Sequence, residues 1–172
     1  MTTGKEYILF LDETDTHSNN VYFCLAGFII SRKEYEGILI PEINRVKTDI
    51  LKSPHIIFHY KDMRQQSNGF EFLNGKTVRD KLWTELCSIL KNSNIVTLAA
   101  YINAVEFRKD YSKIARSEYN VLFNEIINSF VHFLVKNNSV GTVMLESRGV
   151  KQNKSTQELY SQMSKCGTNI YC

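Results

Sequence analysis

Tyr7-Ile8-Leu9-Phe10-Leu11-Asp12-Glu13-Thr14-Asp15 is the stretch on which the fold turns. An unbroken apolar run cut off by acids describes a strand buried on both faces, with carboxylates at its C-terminal end. The same shape returns at Val140 to Leu145, closed by Glu146-Ser147-Arg148. If these two strands lie side by side and parallel, their ends coincide. Function in open α/β sheets gathers at that edge.

Outward from the first run, the polar residues Thr16 to Asn20 make a turn, and Val21 to Ile30 form a second strand around Gly27. The pair reads as an antiparallel hairpin. Ser31-Arg32-Lys33-Glu34 has the form of a capping box and opens a helix. Pro41 starts a second helical piece whose apolar face is Ile43, Val46, Ile50 and Leu51, closed by Ser53-Pro54. Val78, Leu82, Leu86, Ile89 and Leu90 recur at helical spacing from Lys76 to Lys91, with Trp83 on the same flank as a core residue. Asn94 to Ile102 is a third buried strand, and a long helix then ends near Asn137-Asn138. A second capping box, Ser155 to Glu158, opens a helix that Gly167 terminates. Thr168 to Tyr171 begins another strand, so 1–172 reads as a single α/β domain lacking its C-terminal part.

The chain has 172 residues, one domain's worth, and its 43% hydrophobic and 12% aromatic content excludes disorder. Eight Gly and two Pro exclude a collagen-like or linker-dominated chain. A net charge of +3 is too mild to imply nucleic acid by itself. Cys24, Cys87, Cys166 and Cys172 form no C-x-x-C pair, which removes zinc-ribbon and thioredoxin-like readings. With no signal peptide before Tyr7, they read as reduced thiols of a cytoplasmic protein, packed as small buried hydrophobes. No apolar run reaches the ~18 residues of a membrane span. The richest, Val121 to Val135, is interrupted by Asn124, Asn128 and His132, a polar stripe on an amphipathic helix.

Asp12, Glu13 and Glu146 are hard oxygen donors suited to Mg²⁺ or Mn²⁺. Two such ions roughly 3.5–4 Å apart activate water and stabilise the leaving oxygen in phosphodiester cleavage. Acids at strand ends are also ordinary solvated turn residues. Arg148, Lys151 and Lys154 form an acid-free basic cluster just after Glu146, and Arg108, Lys109, Lys113 and Arg116 form another. Both suit phosphate contacts or plain loop solvation, and Arg148, two residues from Glu146, is the foremost phosphate contact. His55 and His59 are four apart, but Pro54 and Ile56-Ile57-Phe58 argue for extended chain. There the two rings would stand about 13 Å apart, too far for a shared zinc. His17 falls in the turn after the first strand, and His132 on a helix face.

Phe10-Leu11-Asp12-Glu13-Thr14, followed by the Gly27 strand, resembles the Asp-Glu-Ser-Gly opening of a bacterial family known as domain of unknown function number three thousand eight hundred. Phe58-His59-Tyr60-Lys61-Asp62-Met63-Arg64 is similar to its His-x-x-(acid) element, and Leu145-Glu146-Ser147-Arg148-Gly149 to its Glu-x-Arg-Gly strand end. The resemblance implies a ribonuclease-H-like mixed sheet in the order 3-2-1-4, flanked by helices, with the fourth strand parallel to the first. Residues 31–93 then form a helical insertion between strands two and three that carries His59 and Asp62.

It also implies a metal-dependent nuclease of phage-defence or mobile-element type. Asp12 and Glu146 would be the Mg²⁺ or Mn²⁺ ligands and Glu13 a secondary one. Arg148, Lys151 and Lys154 would contact nucleic acid. His59 with Asp62 either caps a turn or lines the site as proton shuttle or phosphate contact. Two departures stand out. Thr14-Asp15 replaces Ser-Gly, and the family's later Gln-x-x-Asp element has no counterpart. The alternative is an inactive remnant, or a nucleic-acid- or protein-binding module keeping the fold. A sheet left incomplete would expose strand edge near Val143 and Ile170, so a homo-oligomer or a partner chain is expected.

Overall fold

The computed structural model describes residues 4–14, 21–111, 117–146 and 150–166, with the backbone alone at 110, 111, 150–152, 155 and 164–166. The elements run β1 (Glu6–Glu13), β2 (Tyr22–Ser31), α1 (Arg32–Glu34), a π-helical turn (Tyr35–Leu39), α2 (Ile40–Asp49) and α3 (Tyr60–Gln65). A 3₁₀ turn (Glu71–Asn74), α4 (Lys76–Asn92), β3 (Val96–Asn103), α5 (Ala104–Tyr111), α6 (Glu118–Lys136), β4 (Val140–Leu145) and α7 (Val150–Cys166) complete the chain. They form two compact units, 1–31 with 96–172, and 32–95.

The sheet has the order β3-β2-β1-β4. β1 pairs antiparallel with β2, and β2 with β3, whereas β1 and β4 run parallel with Leu11 opposite Leu145. This is the mixed α/β sheet expected from the sequence, with helices between β2 and β3. Its topology resembles the ribonuclease-H-like arrangement. Leu9 and Leu11 of β1 and Leu25 and Ile29 of β2 face one way and meet Leu122, Phe123, Ile126 and Phe130 of α6, with Met163 of α7 in the same core. Each such side chain, fully withdrawn from water, contributes about 1.5–3 kcal/mol before the entropy of ordering it. Ser117 caps α6, its Oγ accepting from the Asn120 N–H at 3.2 Å.

Gly141 lets α6 lie close on β4. A Cβ there would run into the Phe130 ring and come within 2.9 Å of Leu134 Cδ1. The outer edge strand β4 leaves Val140, Met144 and Leu145 exposed, while Val143 packs on the core. Exposed edge therefore flanks Val143 rather than including it, and Ile170 lies outside the described residues. No helix among the described residues is long and apolar enough to cross a membrane.

Within 32–95, Pro41 sits in the first positions of α2, as expected, but that helix follows the π-helical turn without a break. The Ile40 N–H reaches back to the Tyr35 carbonyl in that wide π turn. That turn loosens the ladder where the proline ring would press on the carbonyl of Gly37. Arg45 of α2 donates to Glu42 at 2.9 Å and to Glu85 of α4 at 2.8 Å, tying the two helices together. Glu85 first, then Glu42, holds the guanidinium proton more tightly than usual. Leu82 and Ile89 are the buried face of α4, and Trp83, expected in the core, is 39% exposed on its flank. Cys87, expected buried, is exposed on the same helix, and Cys24 is half-buried.

Two further differences concern helix starts. α7 begins at Val150, so the Ser155–Glu158 box lies inside it. A cap is worth about 1 kcal/mol, and with neither Gly nor Pro between 150 and 155 the helix propagates through it. α5 is an additional short helix, opened by Asn103, whose Oδ1 accepts from the N–H groups of Val105 and Glu106 at 3.1 and 3.2 Å.

Candidate functional site

The β1–β4 pairing ends at Leu11 and Leu145, where β4 stops and β1 runs on to Glu13. One residue beyond that pair, Asp12, still in β1, and Glu146, the first residue after β4, stand at the C-terminal edge of the sheet. Alternation along β1 puts Asp12 on the face of Ile8 and Phe10, and Glu13 on the face of Leu9 and Leu11. Asp12 is exposed, and its Oδ1 accepts from the Glu13 N–H at 2.8 Å. Glu13 is half-buried and pairs in register with Leu25. Thr14 closes the hairpin. Its N–H donates to the Cys24 carbonyl at 2.9 Å, and its Oγ1 accepts from the Cys24 N–H at 3.0 Å.

The carboxylates of Asp12 and Glu146 are the hard, anionic donors that Mg²⁺ and Mn²⁺ favour. Among the described residues no three His, Cys, Asp or Glu side chains gather in a group able to hold a metal. Asp12 and Glu146 thus offer two donors of the right kind, without a third beside them among those residues.

A cavity of about 530 Å³ opens beside Glu146. β4 lines it with Val143 and Leu145, α6 with Phe123, and α7 with Asn153, Thr156, Gln157 and Tyr160. None of the α7 residues stood out in the sequence. Their signal is a polar row beside the apolar row of Leu159 and Met163, legible only once the helix is known to begin at Val150. Lys154 is exposed on α7. Lys151 is helical there with its side chain undescribed, and Arg148 lies outside the described residues. Of the second basic cluster, Arg108 is tied to Glu118 at 2.6 Å, and Lys113 and Arg116 lie outside the described residues.

His59 and Asp62 belong to the 32–95 unit and meet each other at the start of α3. His59 is extended at the helix N-cap, and its Nδ1 lies 3.2 Å from Asp62 Oδ2. Asn68 Nδ2 donates to Asp62 Oδ1 at 2.9 Å. Asp62 also offers its backbone carbonyl to the N–H groups of Gln66 and Ser67, where α3 ends in the left-handed Gln66. These contacts tie together the two ends of α3, although the His59 side chain makes no cap hydrogen bond to the helix backbone. Residues 55–59 contain neither helix nor strand, His55 lying in a turn.

The Asn68 hydrogen bond, then the His59 ring, holds the Asp62 carboxyl below its ordinary value of 3.8. A depressed carboxyl adds stability that is fully present above the ordinary value and is lost as pH falls through the folded-state value. The melting temperature of the wild type should therefore fall more steeply than that of Asp62→Asn between about pH 5 and pH 3. Parallel slopes in thermal scans would remove Asp62 from that account.

No protein-family model, curated protein or solved structure matches the chain.

Proposed function

We propose that the protein is a metal-dependent nuclease of ribonuclease-H-like type that hydrolyses phosphodiester bonds at the C-terminal edge of its sheet. The observation that carries this reading is the parallel register of β1 and β4, which lets Asp12 and Glu146 leave the sheet side by side. Acids so placed are suited to share an ion, whereas on antiparallel or separated strands they would stand at opposite ends. Asp12 and Glu146 would hold Mg²⁺ or Mn²⁺, with Glu13 as a secondary ligand. Bound there, the ion would supply Lewis-acid stabilisation of phosphate charge and acidify water. Around it, Arg148, Lys151 and Lys154 would neutralise and position the nucleic-acid backbone, as phosphate contacts do.

One observation favours a second reading. With no third acid gathered at the site among the described residues, a module that binds nucleic acid without cutting it also fits. Incubating the chain with single- and double-stranded DNA and RNA, in Mg²⁺, Mn²⁺ or EDTA, separates the two. The nuclease reading expects cleavage with metal and none in EDTA. Binding without cleavage under every condition would select the module.

A further inference from the structure

The cavity beside Glu146 has a chemistry of its own. Asn153, Gln157 and Tyr160 follow one another at i, i+4 and i+7 along α7, so they share one face of the helix. Val143, Leu145 and Phe123 supply apolar walls. At about 530 Å³ the space falls within the roughly 300–1,000 Å³ of small-ligand sites. Among the described lining residues there is no Lys or Arg, and Glu146 adds negative charge at the rim. These described walls offer an anion no positive partner. A hydroxyl-rich sugar would leave the apolar walls unmatched. What suits amide groups, apolar walls and an aromatic ring together is a neutral, flat heterocycle with donors and acceptors on its edge.

We infer that this cavity takes one unpaired nucleobase of a single-stranded nucleic acid. The inference rests on the proposed reading that Glu146 stands where a nucleic-acid backbone is handled. The Gln157 and Asn153 amides offer the paired donor and acceptor that base edges accept. Tyr160, its ring 45% exposed, is the stacking surface. A duplex keeps its bases stacked and cannot fill the cavity without extruding one. The substrate class is thus single-stranded nucleic acid.

The test is fluorescence anisotropy of the full chain in EDTA with a labelled single-stranded oligonucleotide, its duplex and free AMP as competitors. The wild type should prefer the single strand to both. Tyr160→Ala and Gln157→Leu should each weaken single-strand binding by roughly 5- to 100-fold, the range found when a base-stacking side chain is removed. Tyr160→Phe, which keeps the ring, should retain most of the affinity. Both sites are exposed, so thermal melting of the variants should match the wild type. Unchanged affinity in Tyr160→Ala, or competition by duplex or AMP as strong as by the single strand, would overturn the pocket. Single-strand binding through Tyr160 in a chain that cleaves nothing with Mn²⁺ would keep the pocket and remove the nuclease. Cleavage by a Tyr160→Ala chain that still binds like the wild type would do the reverse.

Discussion

Asp12→Asn is expected to lower metal-dependent oligonucleotide cleavage by roughly 10²- to 10³-fold, the loss typical when one group stabilising transition-state charge is removed. Glu146→Gln should behave alike, because both carboxylates serve the same ion. Asparagine keeps the shape of the side chain, and its Oδ1 still accepts the Glu13 N–H that Asp12 holds at 2.8 Å. Asp12 is exposed, so no packing is lost. The variant should therefore melt with the wild type while losing cleavage. A variant that loses stability and activity together would mark Asp12 as a structural acid. Cleavage rates alongside melting curves decide between these outcomes.

The second large effect concerns the sheet that places Asp12. Gly27 faces Leu11 across the β1–β2 pair. A Cβ at Gly27 would collide with the Phe10 carbonyl oxygen and lie 2.8 Å from Leu11 Cδ2 and 2.9 Å from the Phe10 carbonyl carbon. Backbone in the middle of a sheet yields little. Gly27→Val should cost roughly 3 kcal/mol, at the upper end of overpacking in a well-packed interior. Against a typical total of about 5–15 kcal/mol this is a large share. Urea unfolding, followed by circular dichroism, should show a markedly lower midpoint. An unshifted midpoint would mean that β1 and β2 pair in another register.

β1 was legible because burial on both faces leaves the continuous apolar run Tyr7 to Leu11. β3 and β4 show the same kind of run, yet neither has a buried residue, so apolar content marked them as strands without marking them as buried. The strand order was not legible. Pairing β4 with β1 joins residues far apart in sequence, and no local pattern encodes it; the family resemblance supplied the order 3-2-1-4. Helix starts show where local preference is outweighed. Ser155 to Glu158 spells a cap yet lies inside α7, since no Gly or Pro between Val150 and Ser155 stops the helix. The opposite case is Asn103-x-x-Glu106, where Asn103 does cap α5 and the signal stood in the sequence. At the site, Asp12 and Glu146 could be picked out because acids that interrupt apolar strands break the pattern. The Gln157–Tyr160 cavity could not, because its walls come from β4, α6 and α7 and exist only after folding.

The central claim is that Asp12 and Glu146 act as one ligand pair. Titrating Mn²⁺ into the wild type, Asp12→Asn and Glu146→Gln, with free Mn²⁺ followed by electron paramagnetic resonance, tests it most directly. Two carboxylates holding an ion that keeps most of its water give weak binding. The wild type should therefore take up Mn²⁺ weakly, and each single substitution should abolish that uptake. Wild-type uptake of Mn²⁺ by either variant would show that the two acids do not share an ion, and would contradict the account.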